Sequence, residues 1–284
     1  MLHSLLCLTA AAVLGATPTV PPPAAGQAQA RGDAVIESGH IDIGPTLRDG
    51  RWSVQIHDDH TVPAVWREPA ATVLRIRDTA RQAVPDDEAY AFLGEKPGTR
   101  VHVVPQTEKP DVVWIGWNTQ DPAALKAIDR GVTMNLRGAQ GPGAVTVFLQ
   151  SGNLGAPQVL WSSAKPYPQP IWVEANTHTH ANWVFGKPGV YLLALDITAG
   201  DASASTVLRL AVGDATDPDD ARTAAFTQPL PSGSAAAAFK DSPSRTSMTP
   251  FLFGGGALVA ALIASLALRQ SAVRRRAEKE RAAR

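Results

Sequence analysis

The sequence predicts an all-β fold, a β-sandwich of immunoglobulin-like or jelly-roll-like kind, followed by one C-terminal transmembrane helix. Three observations carry this reading. Short Val/Ile/Leu runs alternate with turn residues at spacings of about 8–12 residues, which is the rhythm of a sandwich. Glycine and proline, the residues that break chains into short strands, number 23 each in 284 residues. Residues 251–268, FLFGGGALVAALIASLAL, form an uncharged apolar run. At ~1.5 Å per residue such a run just spans a ~30 Å hydrocarbon core.

The elements follow in order. Residues 1–30 read as a signal peptide. Its apolar part, 5–14, is too short to cross a membrane, and Ala28-Gln29-Ala30 offers a cleavage site, with Gly15-Ala16 as an earlier one. The sandwich is expected over 31–212. Residues 34–43 and 51–57 read as strands joined by a turn segment at 44–50, and 63–69 as irregular. Residues 71–76 form another strand, and 78–91 hold a short helix among turn residues. Strands are expected at 100–105, 111–117, 131–137, 144–150, 157–162 and 204–212, with a helical turn or two at 122–129.

Around Ile171–Leu195 the pattern is the most informative. His178, His180 and Asn182 alternate with Thr179, Ala181 and Trp183, so an extended strand places the two imidazoles and the amide on one face. Gly186-Lys187-Pro188-Gly189 then predicts a hairpin turn into a second strand from Val190. Residues 213–250, rich in Ala, Ser, Pro, Asp and Thr, read as a linker. The tail 269–284 carries Arg269, Arg274, Arg275, Arg276, Lys279, Arg281 and Arg284 against Glu278 and Glu280. The positive-inside rule makes that tail cytoplasmic and the sandwich extracellular.

Composition excludes several classes. Basic and acidic residues balance at 26 each, and the basic excess sits in the tail, so nothing in the composition favours nucleic acid, which would want a basic face. The single cysteine, Cys7, lies in the leader, so disulfides and thiol chemistry are not expected in the domain. No phosphate-binding glycine loop follows a strand. Nothing resembles a serine-hydrolase elbow, and an enzyme is not expected.

The histidines carry the chemistry. His40 and Asp42 are two apart, His57-Asp58-Asp59-His60 packs two imidazoles and two carboxylates together, and His178 and His180 share a strand face. A divalent transition metal wants three or four N/O donors converging at ~2.0–2.2 Å, and His-x-His on a strand supplies two. His178 and His180 are therefore candidate ligands, with His40, Asp42, His57, His60 or Glu174 completing the shell. Without cysteine the donors suit Zn, Mn, Fe or Cu; Zn or Mn is the first expectation. The alternatives are surface imidazoles at 178 and 180, a solvated turn at 57–60, and a buried carboxylate–imidazole pair at 40–42. His102, among valines, reads as structural. Trp114, Trp117, Trp172 and Trp183 read either as the lining of a sugar cleft or as packing. Glu174 and Asp196 are a weak carboxylate pair.

The segments Gly39-His40-Ile41-Asp42-Ile43, Phe92-Leu93-Gly94, Val104-Pro105-Gln106, Trp114-Ile115-Gly116-Trp117, Gly141-Pro142-Gly143 and His178-Thr179-His180-Ala181-Asn182-Trp183-Val184-Phe185, followed by Gly189-Val190-Tyr191, resemble the actinobacterial surface-anchored domain called choice-of-anchor M. The likeness runs from about Ala34 to Val212. It implies a surface location and association with metal-type ABC transporters, including their substrate-binding proteins; it implies no catalytic residues. The expected function is thus a membrane-anchored surface protein that binds a transition metal or metal complex beside an importer. The alternative is an adhesion or glycan-binding module without a metal.

Overall fold

The computed structural model describes residues 21–150 and 156–230. The apolar part of the leader, residues 231–250 of the linker, the apolar run at 251–268 and the basic tail lie outside the described residues. Among the described residues no helix is long and apolar enough to cross a membrane.

The described chain is mostly strand. In order it forms β1 (Ala34–Ile36), β2 (Gly39–Arg48), β3 (Arg51–Asp58), β4 (Val65–Arg67), β5 (Thr72–Ile76), β6 (Arg81–Ala83), β7 (Arg100–Val104) and β8 (Val113–Asn118). Then come α1 (Pro122–Ala127), β9 (Gly131–Gln140), β10 (Val145–Leu149), β11 (Gln158–Ser162), β12 (Gln169–Glu174), β13 (His178–His180), β14 (Asn182–Phe185), β15 (Gly189–Ala199), β16 (Ala202–Val212) and α2 (Pro218–Thr223). Three sheets result, in the orders β1-β5-β16-β15-β9-β12, β11-β10-β14-β7-β6 and β13-β8-β2-β3-β4.

One hydrophobic core draws on all three sheets. Leu74, Met134, Leu136, Leu195 and Leu210 come from the six-stranded sheet; Ile41, Ile43, Ile56, Ile115 and Trp117 from the sheet containing β2; Val104, Val147, Trp161, Trp183 and Phe185 from the third. Alternation explains which side chains enter it. In β8, Val113, Ile115 and Trp117 are buried in the core, so Trp114, Gly116 and Asn118 point to the opposite face. In β2, Ile41 and Ile43 go inward, so His40 and Asp42 go outward.

Several expectations about local structure change. Residues 34–43 are two strands, broken at Glu37-Ser38. Instead of turning at 44–50, β2 continues to Arg48, and the turn narrows to Asp49-Gly50, both at positive φ, as a tight hairpin requires. The irregular stretch 63–69 contains the short β4.

The hairpin expected at Gly186–Gly189 is not formed. β14 pairs with β10 and β7, whereas β15 pairs with β16 and β9. The turn carries the chain from one sheet to another. Pro188 and Gly189 permit the reversal in either case, so local turn chemistry does not choose between the two outcomes. The strand expected across His178–Trp183 divides likewise: β13 joins β8, and β14 joins another sheet, with fully buried Ala181 at the switch.

Packing continues on both sides of the span 31–212. Ala28 and Ala30 bond to the backbone of Trp66, so part of the expected leader packs on the domain. Beyond Val212, α2 buries Ala221 against Val73 and Ala211, and Arg209 donates to the carbonyls of Ala221 and Ala224. Residues 218–224, within the span expected as linker, thus pack on β5 and β16.

Candidate metal centre

β2, β8 and β13 build the site side by side. β8 lies in the middle, pairing in parallel with β2 and antiparallel with β13. The register sets Asp42 and His180 on either side of Gly116, His40 beside Trp114, and His178 beside Asn118. A side chain at Gly116 would collide with Asp42 Oδ1 and the His180 ring. Glycine at this position leaves the space into which the flanking strands project their donors.

His40, Asp42, His178 and His180 form one cluster, with a donor atom from each lying within 4.8 Å of the others. The three Nε2 atoms make a near-equilateral triangle: 3.1 Å from His40 to His178, 3.0 Å from His40 to His180, and 3.0 Å from His178 to His180. Asp42 Oδ2 is 3.1 Å from His178 Nε2, and Oδ1 is 3.5 Å from His40 Nε2. Nitrogens on one ion with ~2.0–2.2 Å bonds stand roughly 3.0–3.4 Å apart, so the spacing suits a shared cation. The cluster can hold a metal ion.

The surroundings prepare the donors. His40 Nδ1–H donates to Asp59 Oδ2 at 2.8 Å. That bond assigns the proton to Nδ1 and leaves the Nε2 lone pair for a ligand bond. Asn118 Nδ2 donates to Asp42 Oδ2 at 3.0 Å. The Trp114 indole stacks on His180 with ring centroids 3.7 Å apart, and its Nε1–H donates to the carbonyl of Gln106. Asp42 is 2% exposed, and among the described residues its Oδ1 has no hydrogen-bond partner. A buried unpaired acceptor costs about 1–3 kcal/mol, and a bound cation would remove that cost.

Protonation follows from burial and charge. Burial, reinforced by the neighbouring His40 and His178, lowers the His180 pKa to about 4 against the opposing charge of Asp42. Its imidazole is therefore neutral near pH 7, the form that ligates. Burial also pulls His40 down, but the bond to Asp59 and the charges of Asp42 and Asp59 outweigh it and raise the pKa. For Asp42, burial works to raise the pKa; bonds from His178 and Asn118 and the charge of His40 prevail and lower it.

Two expected ligands, His57 and His60, are not among the four. His57 pairs with Asp42 across β2 and β3, but its Nε2 bonds Gln27 Oε1 at 2.9 Å and its ring lies against Trp66. His60 is exposed and packs over Gly39, where an added side chain would collide with the His60 ring. What the His57–His60 segment contributes is Asp59. Glu174 is exposed on β12, and Asp196 is paired with Arg137 at 2.8 Å, so they do not act as a carboxylate pair. His102 is buried and bonds Asp78.

The tryptophans do not line one cleft. Trp117 and Trp183 are in the core, Trp114 covers His180, and Trp172 lies half-exposed on β12. A separate cavity of ≈ 440 Å³ lies over the β7, β10 and β14 sheet; Tyr90, Phe148 and Val184 line it together with the amides of Gln106, Gln150 and Asn182.

Sequence reasoning missed Asp59, Asn118, Trp114 and Gly116 as parts of the centre. Of these, only Asp59 carried a signal, through its place between two histidines. Comparison with family models, with curated proteins and with solved structures finds no match for this chain.

Proposed function

We propose that this protein is a membrane-anchored, extracellular metal-binding β-sandwich that holds one divalent transition metal on His40, Asp42, His178 and His180. The observation that carries this reading is the triangle of imidazole Nε2 atoms closed by a buried carboxylate with an unpaired oxygen. Zinc is the first choice. Nitrogen spacing admits zinc or manganese, but manganese prefers six ligands, and the burial of three of the four donors leaves little room for two added waters. The donor set is complete within the chain and mostly buried, which suits retention and delivery of an ion better than catalysis at an open position.

The apolar run at 251–268 and the basic tail support the anchored, extracellular placement. The resemblance to surface-anchored domains associated with metal-type transporters supports an ABC importer, through its substrate-binding protein, as recipient. The aromatic and amide lining of the ≈ 440 Å³ cavity favours, as a second reading, an uncharged sugar-like ligand.

The test is elemental analysis and zinc and manganese titration calorimetry on the detergent-solubilised full chain. About one ion per chain is expected for the wild type and none for the His178→Ala, His180→Ala double variant. Equal metal content in both proteins would overturn the assignment.

A further inference from the structure

The four donors are not held alike, and the difference bears on how an ion is released. His40 is locked by Asp59 at its far ring nitrogen, Asp42 by Asn118, and His180 by the stacked Trp114. The side chains of these three are 8%, 3% and 7% exposed. His178 is 21% exposed, and among the described residues no hydrogen bond holds its Nδ1. It opens β13, a three-residue strand at the sheet edge with only β8 beside it. Asn176, two residues earlier, has a positive φ of 57°, which turns the chain sharply out of β12.

The geometry points to His178 as the exchange ligand of the centre, the donor that gives way when the ion enters or leaves. This rests on the metal reading above. A ligand bond breaks most readily where the side chain has room to rotate and no second bond to restore its orientation. His40 and Asp42 have such a bond, and His180, whose Nδ1 lacks a hydrogen-bond partner among the described residues, is held instead by burial and the stacked Trp114 ring. They form a fixed three-donor cradle, and an incoming imidazole or carboxylate takes the place of the His178 Nε2 lone pair. The departing His178 imidazole and the incoming imidazole or carboxylate each act as a lone-pair donor, so the exchange moves no proton and changes no oxidation state. The recipient is accordingly a protein that offers an exposed histidine or carboxylate donor at its own metal site. It approaches where His178, the most exposed of the four donors, meets solvent on the edge strand β13.

The experiment compares wild type, His178→Ala, His180→Ala and His40→Ala as full-length chains loaded with zinc or cobalt(II). Zinc transfer to a chromogenic chelator is followed by stopped flow, and the cobalt spectrum is recorded with and without free imidazole. We expect His178→Ala to keep about one ion per chain, to release zinc at least tenfold faster than wild type, and to bind free imidazole in the vacated position with a change in the cobalt bands. His180→Ala and His40→Ala should lose stoichiometric metal, and imidazole should not restore it. Circular dichroism verifies that each variant is folded. If His178→Ala loses metal as fully as His180→Ala, or if imidazole rescues them equally, the exchange role is overturned while the metal reading stands. A wild type that binds neither ion overturns both.

Discussion

Asp59 acts on the centre without reaching the ion. Its carboxylate accepts a hydrogen bond from His40 Nδ1–H and so leaves Nε2 as the lone-pair donor. Asp59→Asn keeps the shape but removes the charge and can present its amide N–H to the ring, favouring the other tautomer. Zinc affinity should fall about 10–100-fold in competition titrations, with the melting temperature of the metal-free protein little changed. Unchanged affinity would show that His40 needs no outer partner. Legibility differs residue by residue here. His178 and His180 were readable as a pair because period-two alternation is local. Asp59 was not, because its role depends on where β3 ends relative to β2.

At the scale of elements, the β2–β3–β4 unit holds one side of the site, and Asp58 secures it. Its Oδ2 accepts from Arg67 Nε at 2.7 Å and from Thr61 Oγ1 at 2.8 Å. Burial tends to raise the Asp58 pKa, but these bonds dominate and lower it. A depressed carboxylate pKa contributes stability above the unfolded value of about 3.9, and that stability is lost as pH falls through the folded pKa. Asp58→Asn should therefore cost about 2–4 kcal/mol near pH 7 and flatten the acid limb of the stability profile below pH ~4. Denaturant melts at several pH values measure both. A variant with the wild-type acid limb would remove Asp58 as its source. The existence of most strands was legible from alternation and turn residues. Their sheet membership was not: β13 and β14 read as one strand, yet they join different sheets.

For the whole molecule, an ion on β2 and β13 ties strands that β8 separates, and so stabilises the folded state relative to the unfolded chain. Zinc at 100 times its dissociation constant should add about 2.7 kcal/mol, visible as a higher melting temperature that a chelator reverses. The His178→Ala, His180→Ala variant should show no zinc-dependent shift. A shift of equal size in the variant would place the stabilising ion elsewhere. Because Gln27, Ala28 and Ala30 bond to His57 and Trp66, these measurements need a chain that retains residues 21–30.

By itself, the sequence determined the all-β class, because alternation and turn residues act over a few positions. It also determined that imidazoles and carboxylates, without thiols, were the available donors. Tertiary structure decided which of them meet. His40 and His178 are 138 residues apart, and only the pairing of β2 and β13 with the two edges of β8 brings their nitrogens to 3.1 Å. The same pairing gave Gly116 its purpose, while His57, on β3, bonds Gln27 instead. Long-range register depends on how three sheets share one core, and no local spacing encodes it.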